Sequence, residues 1–483
     1  MKISLSGLKW VHVGIPVGIL LLNFLYKIIF LGARDIGIDE PFTLFYSQMP
    51  WQEIFHMLPG ENNPPLHFLL MHIWISLVGI EPFQVRLLSL FFGAFASLLI
   101  YFIGTRNFSR IIGLSAALLF TFSNFNTFLA QEARVYSLFT LLTLMSVYLF
   151  LNLLKEFKTK TFVYLIVINI LLIYSHFFAF WVILVECMFV ILFPDTRKQL
   201  FKATLVMIGL LVVAFLPYLI TFISRFLASS GGTWLEPPTI SSLYNLLWKF
   251  CNQPVPTVMV ILLLAIASGK YVFYRTKGLS MANKPTQFLV LWFLLPTILT
   301  YFISFLLPVF YEKYLVFIAP AIYLLVCKSV EFLSSQRMIR YGLLLLLISS
   351  FIITSTPKPY YSNSVSSLAN DIKELRNSQA PIVISPGYFD KTFIYHFNLP
   401  WFKDYQHFNE TLQINYMIPV YDPTTNIGED LREFRQVFLI EAGSQYLDPS
   451  ASVLQKLNQQ FDSVEMIEYD DVVKLYIFRK VDF

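Results

Sequence analysis

Residues 9–42, KWVHVGIPVGILLLNFLYKIIFLGARDIGIDEPF, decide how this chain folds. Their first part, 9–31, is an apolar run, and about 17–25 such residues are enough for a helix that crosses a membrane. The run then leads into two adjacent carboxylates, Asp39 and Glu40, with a proline behind them. Acidic side chains are favourable at a helix N-terminus. The pair therefore either begins a helix or performs chemistry at a membrane face.

The composition indicates a polytopic membrane protein. Of the 483 residues, 56% are hydrophobic and 13% are charged, whereas a soluble domain has about 25% charged residues. Apolar segments of spanning length recur and predict about 11 transmembrane helices. These segments lie near 9–31, 82–104, 109–128, 133–154, 161–176, 178–193, 201–225, 243–270, 286–307, 314–333 and 338–355. The shorter run 64–80 begins with prolines and predicts a helix beside the membrane.

The basic residues predict an orientation. Lysine and arginine concentrate in every second loop, as at Lys155, Lys158 and Lys160, and the loops between are nearly free of them. By the positive-inside rule, the N-terminus is cytoplasmic and the C-terminal part lies outside. Up to residue 356 the chain has 24 basic and 13 acidic residues, and beyond it 11 and 17. The basic excess thus lies on cytoplasmic loops, and no nucleic-acid partner is expected.

The composition changes at STPKPYYSNS, residues 355–364. Beyond it, helix patterns alternate with short strands rich in β-branched and aromatic residues. The predicted helices are 364–375 and 448–461, and the predicted strands are 381–385, 436–443 and 472–481. This order predicts a small α/β domain with a largely parallel sheet. The predicted domains are a transmembrane module, 1–356, with a long first outer loop at about 32–81, and an extracytoplasmic domain, 357–483.

Ionisable side chains in a membrane region are costly, so those near the outer face are functional candidates. Four predicted outer loops bring carboxylates, cations and aromatic rings to that face. Carboxylates can deprotonate a hydroxyl, cations can hold a phosphate, and aromatic rings can stack on a sugar. Transfer of a sugar from a lipid phosphate uses all three. Because the phosphate already leaves readily, one general base suffices for a single displacement with inversion.

Four motifs resemble a known family. They are IDEPFTL with NNPPLHFLLMHIWISLVGIEPFQVRLLSLFFGAF (38–44 and 62–95), QEARVYSLFTLL (131–142), YSHFFAF (174–180) and LPVFYEKYLVFIAP (307–320). Together they resemble the GT-C membrane glycosyltransferases. The resemblance is strongest to the bacterial branch related to dolichyl-phosphate-mannose–protein mannosyltransferase and to the aminoarabinose transferase of lipid A. It implies a polytopic helical bundle of GT-C type in the bacterial cytoplasmic membrane.

The resemblance also implies an activity and a set of site residues. The enzyme would move a hexosyl or pentosyl group from a polyprenyl-phosphate carrier to a hydroxyl of a lipid, glycan or protein. Asp39 would be the catalytic base, with Glu40 beside it. The residues implied for donor phosphate binding are Lys313, Tyr314, Arg134 and His67, and those implied to line the cavity are Glu132, Tyr136, His176 and Asn63. Asn63 stands where the family often has His or Lys, and Lys313 stands where it has Arg.

No organic cofactor is expected, and the expected partners are the bilayer, the polyprenyl-phosphate sugar and the acceptor. Whether the protein binds a divalent metal stays open, since Glu53, His56 and Glu61 share the first outer loop. Two other classes of protein function also stay open. A transporter or flippase of a lipid-linked saccharide would need broken or polar helices near the bilayer midplane. A non-catalytic membrane scaffold would not need acids, cations and aromatic rings gathered in its membrane loops.

Overall fold

The computed structural model describes most of the chain. The described residues are 5–37, 39–61, 63–229, 235–276, 283–357, 363–377, 379–424, 431, 433–444 and 447–480. All the site residues predicted from the sequence fall within these ranges. Part of the predicted connector after residue 357 lies outside them.

The described residues form 21 α-helices and five β-strands. The helices are α1 (Leu5–Ile28), α2 (Glu40–Ser47), α3 (Trp51–Met57), α4 (Leu66–Val78), α5 (Pro82–Asn107), α6 (Arg110–Thr121), α7 (Asn124–Ala130), α8 (Tyr136–Lys155), α9 (Thr159–Ile173), α10 (Ala179–Leu192), α11 (Pro194–Ser229), α12 (Ile240–Phe250), α13 (Pro254–Thr276), α14 (Lys284–Ile303), α15 (Ala319–Leu333), α16 (Arg337–Thr354), α17 (Ser364–Leu375), α18 (Asp390–Phe397), α19 (Leu399–Lys403), α20 (Phe408–Ile414) and α21 (Ser452–Asn458). The strands are β1 (Ile382–Ser385), β2 (Met417–Pro419), β3 (Gln436–Ala442), β4 (Ser463–Glu468) and β5 (Val473–Arg479).

Seven helices within the described ranges are long and apolar enough to cross a membrane, and a bent pair, α6 with α7, raises this to eight. The other three predicted spans fall on shorter apolar helices, in α1, α9 and α10. Each apolar segment predicted from the sequence therefore corresponds to one helix or to two consecutive helices. The count of 11 spans stays a prediction.

Two predicted spans are interrupted. The segment predicted at 243–270 is two helices, α12 and α13, because Asn252 has a φ of +71° and Pro254 begins the second helix. Neither a left-handed residue nor a proline continues a helix in regular geometry. The segment predicted at 109–128 bends by 66° between α6 and α7. There the Ser123 side chain accepts a hydrogen bond from the backbone N–H of Asn126 and so caps the start of a new helix.

One compact unit, the membrane unit, contains Met1–Leu31, Phe55–Leu70 and Arg86–Pro357. Its most buried spans are α8 and α15. Within the unit α5 and α6 cross closely, since a Cβ on Gly104 would lie 2.4 Å from the Cα of Gly113. Only small residues allow helix backbones in a membrane to approach so closely.

A carboxyl group also lies buried inside the membrane unit. Glu186 on α10 is fully buried, and its Oε2 accepts a hydrogen bond from Asn169 Nδ2 on α9 at 2.9 Å. Ser146 Oγ on α8 lies 2.6 Å from both Asn169 Oδ1 and Glu186 Oε1. A hydroxyl has one hydrogen to donate. The hydroxyl can donate to either oxygen, and a proton on Glu186 Oε1 that is donated to Ser146 Oγ satisfies both short contacts and closes a ring of hydrogen bonds across three helices.

This ring predicts that Glu186→Gln is tolerated and that Glu186→Ala is not. A glutamine amide donates to Ser146 and accepts from Asn169 as the neutral acid does. Alanine leaves both partners unsatisfied and should lower the free energy of unfolding by about 1–2 kcal/mol. Thermal unfolding in detergent measures the difference. A glutamine variant as unstable as the alanine variant would mean that Glu186 is ionised.

The second compact unit, the α/β unit, contains Gly32–Ile54, Met71–Val85 and Lys358–Phe483. Its strands form one sheet in the order β2-β1-β3-β5-β4. β1 pairs in parallel with β2 and β3, whereas β5 pairs antiparallel with β3 and β4. The sheet is thus mixed, and the prediction of a largely parallel sheet was wrong. β4 and β5 follow each other with a short connection, which allows only antiparallel pairing.

The α/β unit includes two pieces of the long first loop predicted from the sequence. Helix α2 packs on α18 within this unit, and Phe45 of α2 lies edge-on to Phe402 and Phe408, with ring centroids 5.6 Å and 4.7 Å away. Gln48 donates a hydrogen bond from Nε2 to the Phe402 carbonyl at 3.3 Å. The segment that carries Asp39 and Glu40 is therefore packed on residues about 360 positions later in the chain.

Candidate active site

The two adjacent carboxylates at the start of α2 have opposite surroundings. Glu40 is fully buried, and its Oε2 accepts a hydrogen bond from the Gly37 amide at 2.9 Å and lies 3.8 Å from the Arg34 guanidinium. Asp39 is exposed at the N-cap position, and its side chain makes no capping hydrogen bond to α2. Glu40 thus braces the loop that precedes the helix, whereas the Asp39 carboxylate faces solvent, where a substrate hydroxyl could reach it.

A tyrosine that the sequence analysis missed lies within the electrostatic reach of Asp39. Burial, and then the negative charge of Asp39, raises the pKa of Tyr388 above its usual value. Its phenol therefore keeps its proton at neutral pH and can donate a hydrogen bond. Tyr388 belongs to the turn before α18, almost 350 residues after Asp39. No spacing rule in a sequence connects residues so far apart.

Within the membrane unit, Lys313 and Glu132 form a buried ion pair. Lys313 Nζ lies 2.8 Å from Glu132 Oε1, and the two side chains are 13% and 7% exposed. The ammonium also lies 5.0 Å from the ring centroid of Phe128 and 5.6 Å from that of Tyr136. The carboxylate and the two aromatic faces all stabilise the positive charge in a place with little water.

The predicted residues His176 and Tyr314 belong to an aromatic cluster in the same unit. His176 is buried and stacks on Phe139 with ring centroids 4.7 Å apart. Its ring also lies 6.0 Å from that of Tyr136 and 5.7 Å from that of Tyr314. Tyr136 therefore joins the Lys313–Glu132 pair to this cluster, and five of the predicted site residues, from three separate motifs, lie together.

His67 and Arg134 are also neighbours. His67 is 2% exposed at the start of α4 and lies near the Arg134 guanidinium and the Ala133 backbone. Arg134 follows Glu132 in the turn before α8. Asn63 is buried just before the double proline that leads into α4. The membrane unit thus holds two cations, one carboxylate and several aromatic rings near one another, which is a set that can bind a phosphate group.

Among the described residues, no three His, Cys, Asp or Glu side chains come together in a way that could hold a metal ion. Glu53 and His56 lie exposed on α3, and Glu61 lies buried after it.

Comparison with known proteins agrees with this architecture. The model of the family described as dolichyl-phosphate-mannose-protein mannosyltransferase matches residues 62–222. No curated protein sequence matches the chain. The matched segment runs from the double-proline motif into α11 and includes His67, Glu132, Arg134 and His176.

Solved structures resemble almost the whole chain. ArnT from Cupriavidus metallidurans in the apo state is 12% identical, with a TM-score of 0.60 and 98% of each chain covered. The same protein bound to undecaprenyl phosphate is 13% identical, with a TM-score of 0.58 and 95% and 97% covered. The archaeal oligosaccharyltransferase AglB from Archaeoglobus fulgidus, in complex with an inhibitory peptide and a dolichol-phosphate, is 10% identical. It has a TM-score of 0.53, and the match covers 96% of this chain and 74% of that one.

The fold is that of the GT-C membrane glycosyltransferases. This confirms the resemblance based on the four motifs, and it confirms a mainly helical membrane bundle with a small C-terminal α/β sheet. At 10–13% identity the likeness concerns the GT-C fold alone. The roles of Asp39, Lys313 and the other site residues stay predictions.

The buried pair in this GT-C fold predicts non-additive effects on stability. Lys313→Met or Glu132→Gln alone leaves one charge buried without its counter-charge, at a cost of about 3 kcal/mol. The double variant removes both charges and should lose less than either single variant. Thermal unfolding of the four proteins in detergent measures this.

The pair Lys328–Glu331 provides a matched control. It lies in the same unit, but both side chains are 28% exposed. Lys328→Met should therefore lower the free energy of unfolding by less than about 1 kcal/mol. If the costs of Lys313→Met and Glu132→Gln simply add in the double variant, the two charges do not depend on each other.

Proposed function

We propose that this protein is an integral membrane glycosyltransferase. It transfers a sugar from a polyprenyl-phosphate carrier to a hydroxyl acceptor, which is a lipid, a glycan or a protein. The observation that carries the proposal is the difference between the two carboxylates of the first loop. Glu40 is buried and bonded within the loop, whereas Asp39 is exposed at the N-terminus of α2.

The proposed reaction is a single displacement at the anomeric carbon. The acceptor oxygen forms a bond to that carbon while the bond to the phosphate oxygen breaks, and the polyprenyl phosphate leaves with the electron pair. Asp39 takes the proton of the acceptor hydroxyl as the nucleophile attacks. The product has the inverted anomeric configuration, because attack and departure occur on opposite faces of the sugar.

Donor binding is assigned to the membrane unit. The ArnT structure with undecaprenyl phosphate supports a polyprenyl phosphate as the donor class. We assign the phosphate to the cations Lys313 and Arg134, with Tyr314 and His67 beside them. The rings of Tyr136 and His176 lie in the same cluster as Lys313 and would line the cavity together with Glu132 and Asn63.

The distribution of basic residues supports an orientation for this activity. The N-terminus would be cytoplasmic, and the α/β unit and Asp39 would lie on the outer face of the cytoplasmic membrane. A sugar carried by a polyprenyl phosphate reaches that face in the membrane itself, so the enzyme needs no soluble nucleotide sugar there.

Replacement of Asp39 tests the proposal. Asp39→Asn removes the base without a change of size and should lower transfer by about 10²–10⁴-fold. The measurement is transfer of radiolabel from a panel of polyprenyl-phosphate sugars to acceptors in a membrane extract, with purified protein. The labelled product identifies the sugar and the acceptor.

Two further variants make this test specific. Glu53→Gln removes an exposed carboxylate of the same loop and should leave transfer unchanged. Glu40→Gln weakens the brace with Arg34 and Gly37 and should lower thermal stability as well as transfer. If Asp39→Asn transfers sugar at the wild-type rate, Asp39 is not the base. If wild-type protein transfers no sugar from any donor, the glycosyltransferase proposal itself fails.

A further inference from the structure

A lysine of the α/β unit is enclosed by aromatic rings. Lys391, on α18, is only 8% exposed. Its Nζ lies 5.3 Å from the ring centroid of Phe42, 5.2 Å from Phe45, 5.8 Å from Tyr46 and 5.6 Å from Phe408. Three of these four rings belong to α2, the helix that begins directly after Asp39. We call the four rings the lysine cage.

One carboxylate completes the surroundings of this ammonium. Asp390 is 1% exposed, and its Oδ1 lies 3.2 Å from Lys391 Nζ. The Tyr421 hydroxyl donates a hydrogen bond to the other oxygen of Asp390 at 2.9 Å. Burial, and then the charge of Asp390, raises the pKa of Tyr421, so the phenol remains a donor. The carboxylate is thereby held beside the lysine.

The cage makes the burial of Lys391 depend on α2. A buried ammonium is costly unless other groups replace its water. A cation over an aromatic face gains more free energy when water is excluded than when the site is exposed. Since three of the four rings come from α2, Lys391 keeps these three aromatic contacts only while α2 is packed against α18.

Helix α2 needs such an anchor. It has eight residues, whereas an isolated helix shorter than about 12–15 residues is marginal in water. Its position therefore depends on packing, chiefly of Phe45 on Phe402 and Phe408 and of the three cage rings on Lys391. Asp39 is the residue before its first turn, so any displacement of α2 displaces Asp39.

We infer that Lys391 is a positioning residue for transfer: through the lysine cage it holds α2 against α18 and so aims the Asp39 carboxylate. The inference rests on the proposed function, since it takes Asp39 as the base. It gives the small C-terminal domain a specific task, which is to hold the catalytic loop in place. A displacement of about 1 Å at a reacting group can cost about 10²-fold in rate.

The first test needs no activity. Hydrogen exchange of the peptide that covers residues 40–48 is measured in the purified full-length protein and in Lys391→Met, which keeps most of the length of the side chain and removes its charge. Exchange in this peptide should rise at least about tenfold. Lys480→Met is the matched control, because Lys480 lies in the same unit over the ring of Phe461, at 5.6 Å, which is not part of α2. This control should leave the peptide unchanged.

The second test measures transfer by the same proteins. Lys391→Met should lower kcat by about 10–100-fold with little change in KM for the donor. Lys391→Arg keeps a cation inside the cage and should restore kcat to within about threefold of wild type. Phe42→Leu removes one ring and keeps the lysine, so it should give a smaller loss of kcat in the same direction. It takes the place of Lys391→Met if that variant fails to fold.

Each result decides one step. Unchanged exchange at residues 40–48 in both Lys391→Met and Phe42→Leu overturns the anchor, whatever the activity. Increased exchange with unchanged kcat overturns the link from the anchor to Asp39. The proposed function fails separately, if Asp39→Asn transfers normally, and in that case the exchange result still shows whether Lys391 holds α2.

Discussion

The constraint on which this structure most depends is the cost of removing a charge or a hydrogen-bonding group from water. Four buried charged or polar side chains show how that cost is met within one unit. Glu186 is closed into a ring with Ser146 and Asn169, and Lys313 is paired with Glu132. Lys391 replaces its hydration with Asp390 and four aromatic rings. Most of these partners belong to other helices or loops, so satisfying them also arranges the helices.

The same constraint separates the two carboxylates of the first loop. The Glu40 carboxylate is buried because a backbone amide and a guanidinium take the place of water. Asp39 stays in contact with solvent, and a base that must accept a proton from an incoming hydroxyl needs such access. Adjacent residues of similar chemistry thus acquire different tasks, a structural brace and a proposed base. Helix geometry turns neighbouring side chains in different directions.

This chain shares its fold with ArnT and AglB although their sequences are only 10–13% identical to it. The fold therefore tolerates wide sequence change. What recurs across such distances is an apolar bundle with polar loops, because the bilayer demands internally satisfied helices. The proposed chemistry depends on Asp39 and Lys313, which lie in the segments between the long apolar helices.

The sequence by itself determined the membrane class, the positions of the apolar helices and the GT-C resemblance, because hydropathy, helix length and short motifs are local properties. It also identified Lys313, Glu132, Tyr136, His176 and Tyr314 from separate motifs. Only the tertiary structure decided that these five lie together, that Glu40 is buried and Asp39 exposed, and that the sheet is mixed. The lysine cage had no signal in the sequence, since Lys391 and its three α2 rings lie about 345 residues apart. Long-range packing alone brings such residues into contact.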